Sequence, residues 1–330
     1  MQSSSSIRIS SLLSGSLAKL LLTLGFAAFA TGCAVTSIDS TTERIGDGTD
    51  EQSMMENLAS NPKGPIRFQK IVSADWAVDR GGLINLDHPA AEKAGLESGL
   101  ESIQIYFYVV DHPTKGRFLI DTGMGSVFQK PSEDWPVSGM VQSVMNMDLL
   151  KIHTITSQWL KTSGTSPKGI FLTHMHLDHI LGSGDIDPAV PFYVGPKEST
   201  DSMFLNVFVQ GSTDDILGSD RILRELEFPV ISEDAKNNEL RILDFFGDGS
   251  LYVLLVPGHT AGSMAFLIRS TDGLQMVVGD TCHTVWGWKN NVPPGSFTAD
   301  QEKNVKSLNS LIEIANKLQN VKVHLGHQSL

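Results

Sequence analysis

The stretch Thr173-His174-Met175-His176-Leu177-Asp178-His179 carries four potential metal ligands within six residues. It follows the apolar run 169–172, which predicts a short buried strand. Because a strand end presents alternate residues to one side, the first two histidines are expected to face one point. A turn into a helix would then direct Asp178 and His179 toward a second, neighbouring ion. Imidazole nitrogens together with a carboxylate suit zinc and related divalent ions. The alternative is a solvated turn, but the apolar strand favours burial.

Three further candidate ligands each follow a predicted strand. Strand 251–256 is followed by Pro257-Gly258-His259-Thr260-Ala261-Gly262-Ser263. Strand 274–278 is followed by Gly279-Asp280, and strand 321–325 by Gly326-His327. Folds of the α/β type collect their sites at strand ends, so these side chains are expected to join the first cluster. A carboxylate has two oxygens and can bridge two cations. His324 is the competing candidate beside His327, but it belongs to the strand rather than to the turn.

The rest of the chain predicts one domain over residues 66–330, with a mixed layered architecture of strands and helices. The predicted strands are 66–72, 103–111, 117–121, 170–174, 192–194, 240–245, 251–256, 264–269, 274–279 and 321–325, and the predicted helical regions are 138–163 and 299–319. The segment 195–239 is less regular. It is interpreted either as a flap over a site or as a surface helix and loop.

The motifs together resemble those of the metallo-β-lactamase-fold hydrolases. They are H-x-H-x-D-H at 174–179, P-G-H-T-x-G-S at 257–263, G-D at 279–280, G-H at 326–327 and Leu119-Ile120-Asp121-Thr122-Gly123. The resemblance implies an α/β (α+β) fold, a four-layer αββα sandwich with the metal site at one edge of two sheets.

The resemblance also implies a ligand set for two divalent metal ions, with zinc expected and manganese or iron as the alternatives. The first ion would be held by His174, His176 and His259, the second by Asp178, His179 and His327, and Asp280 would bridge them. Asp121 would orient ligands from outside this set, the alternative being a simple turn residue. His88, His112 and His153 belong to none of these motifs and are expected to be surface or core residues.

A water shared by two cations would be a hydroxide near neutral pH and could attack an electrophilic carbonyl or phosphoryl group. The stretch 173–183 looks similar to that of N-acyl homoserine lactone lactonases, which implies the opening of a lactone or the cleavage of a related ester. Those lactonases usually carry a tyrosine three residues after the bridging aspartate, where this chain has His283. We therefore assign His283 as a candidate donor to the substrate oxygen and Asp178 as a candidate for steering the water.

Other functions remain open at the level of sequence. They are β-lactam hydrolysis, thioester or phosphodiester hydrolysis, iron-dependent oxygen chemistry, and a metal-binding envelope lipoprotein without catalysis. The role of the residues expected to border the cleft is equally undecided by the sequence. Trp286, Trp288 and the stretch 292–294, together with Met203, Phe204 and Phe208, either receive an acyl chain or pack the core and rim.

The formal net charge of −12 disfavours nucleic acid as a partner and leaves a small molecule as the expected substrate. Residues 1–32 read as an export signal, with Arg8 and Lys19 followed by an apolar run too short to span a bilayer comfortably. Ala30-Thr31-Gly32-Cys33 resembles a bacterial lipobox, which implies lipidation of Cys33 and a periplasmic or outer-membrane location; plain secretion is the alternative. Residues 33–64 are expected to be a flexible tether. The second cysteine, Cys282, is expected to be a small buried hydrophobe rather than a disulfide partner.

Overall fold

The computed structural model describes residues 32–203, 205–229 and 240–330. The strands, numbered in chain order, are β1 (Ser40–Glu43), β2 (Asp47–Thr49), β3 (Arg67–Asp79), β4 (Leu100–His112), β5 (Gly116–Ile120), β6 (Lys151–Ile152), β7 (Gly169–Phe171), β8 (Phe192–Val194), β9 (Leu223–Leu226), β10 (Arg241–Asp244), β11 (Leu251–Leu255), β12 (Met264–Ser270), β13 (Gly273–Val277) and β14 (Lys322–His324). The α-helices are α1 (Glu51–Ser60), α2 (Arg80–Leu83), α3 (Pro89–Lys93), α4 (Gly139–Val144), α5 (Thr156–Ser163), α6 (Leu177–Ile180), α7 (Asn206–Leu217), α8 (Val285–Asn290) and α9 (Gln301–Lys317). Within these ranges, each helix is too short or too polar to cross a lipid bilayer.

The strands form two sheets. The first has eight strands in the order β1-β9-β8-β7-β5-β4-β3-β6, and the second has six in the order β14-β13-β12-β11-β10-β2. Parallel pairs join β5, β7, β8 and β9 in the first sheet, whereas β10 to β13 form an antiparallel meander in the second.

Alternate residues of the central strands supply different hydrophobic layers, as the period of two in a strand requires. In β4, Phe107 packs outside the first sheet, while its neighbours Tyr106 and Tyr108 pack between the sheets. In β12, Phe266 lies between the sheets and Leu267 lies under the helices that cover the second sheet. The result is the predicted four-layer arrangement of helices, sheet, sheet and helices.

Helix α9 confirms the predicted helical region 299–319. Asp300 caps its N-terminus by accepting a hydrogen bond of 3.0 Å from the Lys303 backbone N–H. Leu308, Leu311 and Ile314 repeat at helical spacing and are buried against the six-stranded sheet.

The predicted helical region 138–163 is only partly right. It contains α4 and α5, but Asn146 adopts a left-handed backbone conformation with φ of 53° and interrupts the helix. The following residues form β6, which pairs with Ala74 and Asp75 of β3. Tertiary pairing with the sheet therefore overrides the local helical preference.

The predicted flexible tether over residues 33–64 is wrong for most of its length. Strand β1 pairs with β9 and β2 pairs with β10, so this segment adds an edge to each sheet. Met54 and Leu58 of α1 are 0% exposed and belong to the core beneath the six-stranded sheet. A polar segment can be ordered in this way because an edge strand offers backbone hydrogen bonds that do not depend on apolar periodicity.

The segment 195–239 is not a simple flap. It contributes α7 and then β9, which lies inside the eight-stranded sheet between β1 and β8. Phe204 and residues 230–239 lie outside the described residues. The surface-helix interpretation fits α7, but the sequence pattern missed β9.

Candidate metal centre

Strand ends from both sheets bring the predicted ligands together. His174 and His176 follow β7 of the first sheet, and the next residues enter α6, which carries Asp178 and His179. His259, Asp280 and His327 follow β11, β13 and β14 of the second sheet. The candidate ligands of both sheets therefore meet at one edge of the sandwich.

The first donor set consists of three imidazole nitrogens. His259 Nε2 lies 3.1 Å from His174 Nε2 and 3.0 Å from His176 Nδ1. Tetrahedral zinc with bonds of about 2.0–2.1 Å to nitrogen would separate its ligand atoms by about 3.3 Å. The three rings therefore surround a point of the size that a divalent ion occupies.

The second donor set contains Asp178, His179, Asp280 and His327, all buried. His327 Nε2 lies 3.1 Å from Asp178 Oδ2 and 3.1 Å from Asp280 Oδ2. His179 Nε2 lies 3.3 Å from that same Asp280 oxygen. Two carboxylates and two imidazoles form the oxygen and nitrogen set that divalent transition metals accept.

Asp280 lies between the two sets. Its Oδ2 is 3.7 Å from His174 Nε2 and 3.6 Å from His259 Nε2, in addition to its contacts with the second set. Among the described side chains, His179 Nε2 and Asp280 Oδ1 are buried polar atoms without a hydrogen-bond partner. A buried polar atom without a partner is costly, and a cation bound at the second set would satisfy His179 Nε2. The residues present therefore fit divalent metal ions.

The charges of the two sets differ. Burial and the neighbouring imidazoles hold the pKa of His174 and of His259 well below its ordinary value, so both rings are neutral, as metal ligands must be. Burial also opposes charge on His179 and His327, but Asp280 and Asp178 outweigh it. Together with Asp121 they raise the pKa of His179 well above its ordinary value, and by themselves they raise the pKa of His327 to about 10. Burial opposes the charged form of both carboxylates, yet the histidines lower the pKa of each. Cations at this second set would replace those protons.

Asp121 orients the second set from outside. It adopts φ of 58° in the turn after β5, and its Oδ2 accepts a hydrogen bond of 2.8 Å from His179 Nδ1. Its Oδ1 accepts one of 2.8 Å from the Thr173 backbone N–H. This contact leaves His179 Nε2 directed into the site, which is the outer role predicted for Asp121. His327 is oriented similarly, since its Nδ1 donates to the Gln104 carbonyl at 3.0 Å.

Glu198 is a supporting residue that the sequence did not reveal. It is 1% exposed, and Oε1 accepts a hydrogen bond of 2.7 Å from the Met175 backbone N–H, between two ligands of the first set. Its Oε2 accepts from Thr260 Oγ1 at 2.7 Å and from the Gly262 backbone N–H at 2.9 Å, in the loop that holds His259. One side chain thus joins two ligand loops. Its position in the irregular segment after β8 gave no signal of this role.

Gly326 leaves space for the central carboxylate. A Cβ at this position would lie 2.1 Å from Asp280 Oδ1, far inside van der Waals contact. The glycine before His327 is therefore needed for close packing against Asp280.

His283 also reaches the site. Its Nε2 lies 3.0 Å from Asp280 Oδ2, and its ring stacks on that of His327 with centroids 5.4 Å apart. With His259 and Asp280 it forms a third group able to hold a metal ion. Its Nδ1 is buried and makes no hydrogen bond to another described residue.

The histidines that the sequence did not assign to the site lie outside these three groups. His324 Nε2–H donates to Gln275 Oε1 at 2.9 Å, beside the strand, rather than joining the site. His88 caps α3, His112 pairs with Asp248, and His153 pairs with Asp75.

The region after His283 packs largely against the cores. Cys282 is buried under the six-stranded sheet, and burial raises its pKa to about 12, as expected for an inert thiol. Trp286 packs partly against the core outside the eight-stranded sheet and Trp288 against the core that contains Cys282. These contacts favour the packing interpretation for both rings.

Known proteins are similar to this chain in sequence and in fold. The model of the metallo-beta-lactamase superfamily matches residues 101–327. The N-acyl homoserine lactonase AttM of Azorhizobium caulinodans is 26% identical over 220 residues, which cover 64% of this chain and 78% of that protein. A solved structure of AidC, a dizinc quorum-quenching lactonase in complex with a product, has a TM-score of 0.52 at 16% identity and covers 80% of this chain and 88% of that one. At this identity the structural likeness shows the fold alone.

A shorter match involves a fungal protein. The cytochrome P450 monooxygenase mpaDE′ of Penicillium brevicompactum is 31% identical over 130 residues, which cover 35% of this chain. The chain spans only 14% of that protein's length, so the similarity concerns a small part of it. The family match covers more than half of the chain and includes every predicted ligand. The chain therefore belongs to the metallo-beta-lactamase superfamily of metal-dependent hydrolases.

Proposed function

We propose that the protein is a dinuclear metallohydrolase that opens a lactone or cleaves a related ester. The observation that carries this proposal is the position of Asp280 Oδ2, which lies 3.1 Å from His327 Nε2 of one donor set and 3.6 Å from His259 Nε2 of the other. A single carboxylate within reach of both sets is the geometry needed to bridge two ions. Zinc fits the nitrogen-rich first set, and a dizinc lactonase shares the fold.

Two divalent ions, when bound, would lower the pKa of a shared water toward neutrality and so supply the nucleophile. The chain's own residues would position the reactants. Asp178 belongs to the second set, where its carboxylate would steer the attacking water. His283 projects toward Asp280 and could donate a hydrogen bond to the substrate oxygen as negative charge develops there.

The lactone or ester substrate is supported by similarity to AttM, which is an N-acyl homoserine lactonase by name. The protein with its metals removed by a chelator should lose hydrolysis of an N-acyl homoserine lactone and of simple esters, and added zinc or manganese should restore it. Metal analysis of the isolated protein should find two ions per chain. Hydrolysis of a carbapenem but not of lactones or esters would show a β-lactamase instead. A thioester or a bis-aryl phosphodiester as the only substrate would redirect the proposal to those classes.

The role of His283 is tested separately. His283→Phe keeps a ring but removes the donor, so kcat for the lactone should fall about 10²–10³-fold, the usual effect of losing one oxyanion donor. His283→Tyr restores a donor and should recover part of the rate. If both variants bind two metals and His283→Phe keeps the full rate, His283 has no catalytic role.

We also propose that the protein is exported and lipidated at Cys33, with residues 1–32 removed. The basic residues, the short apolar run and the lipobox-like Ala30-Thr31-Gly32-Cys33 support this proposal. The mature protein should carry acyl chains on Cys33 by mass spectrometry, and Cys33→Ala should release it from the membrane fraction. A mature N-terminus at another residue, without lipid, would indicate plain secretion.

A further inference from the structure

Cys33 does not lead into a free linker but lies against the beginning of α7. It forms a β-bridge with Met203, and the Met203 backbone N–H donates to the Cys33 carbonyl at 3.1 Å. Asn206 Nδ2 donates to the same carbonyl at 2.9 Å, and Gln210 Nε2 donates to the Ala34 carbonyl at 2.8 Å. The point of the predicted lipid attachment is therefore held at the surface of the domain.

The next residues lie along the same helix. Thr36 Oγ1 donates to Asp214 of α7, and the Ser37 backbone N–H donates to the same carboxylate at 2.9 Å. These contacts and those of Cys33 span α7 from its first turn to its third. Because residues 33–37 are hydrogen-bonded at both ends to α7 or the residues just before it, a lipid anchor on Cys33 would hold α7 close to the bilayer surface.

Large apolar side chains are exposed beside Cys33. Leu205 is 62% exposed, Val207 is 40% exposed and Phe208 is 46% exposed. They lie within five residues of Met203, the residue bridged to Cys33. A cluster of exposed apolar side chains on a water-soluble domain marks an interaction surface. Helix α7 carries two acidic and no basic residues, so this surface favours neutral lipid over anionic lipid.

We propose that this apolar face, formed by Cys33, Met203, Leu205, Val207 and Phe208, rests on the lipid bilayer. The occupant is the membrane rather than a second copy of the chain, because acyl chains on Cys33 would enter the bilayer directly beside this face. An apolar face next to a covalent lipid supplies the second signal that stable membrane attachment needs. The inference rests on the proposed lipidation of Cys33.

The face is connected to the metal centre. The Thr36 backbone N–H donates to the Ser199 carbonyl at 3.4 Å. Glu198, the residue before Ser199, accepts hydrogen bonds from both loops of the first donor set. Helix α7 is also in contact with α6, which carries Asp178 and His179. A domain seated on this face would hold its metal centre close to the membrane, where substrates with acyl chains concentrate.

The test places a fluorophore at the face and at a matched control site. Leu205→Cys is labelled with a nitrobenzoxadiazole dye in the protein as the cell processes it, reconstituted into phosphatidylcholine vesicles that contain nitroxide-labelled lipid. The control is Leu100→Cys, since Leu100 is 56% exposed at the start of β4 on another part of the molecule. Cys282 is buried and is not expected to react.

The expected result is a blue shift and a loss of fluorescence at position 205, with neither change at position 100. Equal fluorescence at the two positions in vesicle-bound protein would overturn the proposal, as would failure of the processed protein to bind vesicles. Cross-linking between copies through position 205 would also overturn it in favour of a dimer. The readout does not involve hydrolysis, so a failure here is distinct from a failure of the proposed activity.

Discussion

At the scale of single residues, the metal centre depends on side chains that bind no metal themselves. Asp121 directs His179, the Gln104 carbonyl directs His327, and Glu198 joins the loops of His176 and His259. Such outer contacts set the orientation of ligands and so affect metal affinity strongly.

Replacing Glu198 tests that idea. Glu198→Ala removes three hydrogen bonds that link two ligand loops, so we expect zinc affinity to fall about 10–100-fold. Chelator competition on the folded protein measures this loss. Glu198→Gln keeps the size and one acceptor oxygen and should lose less affinity, while Glu302→Ala, at an exposed position on α9, should lose none. An unchanged affinity in folded Glu198→Ala would contradict the linking role.

A methyl group at position 326 gives a second test. In Gly326→Ala the Cβ would meet Asp280 Oδ1 at 2.1 Å, so the carboxylate must leave its position between the two donor sets. We expect a fall of about tenfold or more in metal affinity, with a parallel fall in hydrolysis. The control is Gly211→Ala in α7, where an added Cβ meets no atom within 4 Å. Two tightly bound metals in Gly326→Ala would refute the steric argument.

At the scale of elements, the segment before residue 65 is part of the folded domain. Strands β1 and β2 extend the two sheets, and α1 covers the six-stranded sheet. The pattern of polar residues predicted a linker because edge strands and capping helices need little apolar periodicity.

Leu58→Ala measures how much α1 contributes. Leu58 is 0% exposed in the core, and truncating a buried leucine costs about 2–5 kcal/mol of unfolding free energy. Urea denaturation should show this loss, whereas Glu56→Ala on the exposed side of α1 should change stability little. Equal stability of the two variants would mean that α1 is a detached tether after all.

At the scale of the whole molecule, the metal centre connects the two sheets. Its candidate ligands come from the end of β7 and from α6 on one side and from the ends of β11, β13 and β14 on the other. Ions bound there would hold both halves of the sandwich together, in addition to the apolar layer between the sheets.

Removing the metal should therefore destabilise the entire fold. Ligand binding adds about 4 kcal/mol when the free metal concentration is 1,000 times Kd. We expect chelator to lower the midpoint of urea unfolding, and zinc to restore it. Asp280→Asn, which removes the negative charge of the proposed bridging carboxylate, should show a smaller dependence on zinc. A midpoint that does not change with chelator in the wild-type protein would argue against this connection.

The sequence alone predicted ten of the strands, α9 and the seven candidate ligands, since these depend on local periodicity and on motifs at strand ends. It also indicated Asp121 and singled out His283. Tertiary structure alone decided that Asp280 lies within reach of both donor sets and that Glu198 joins two loops. It also showed β1, β2, β6 and β9 in the sheets, and Cys33 against α7. The physical reason is that edge pairing and buried hydrogen bonds join residues far apart in the chain, so no local pattern records them.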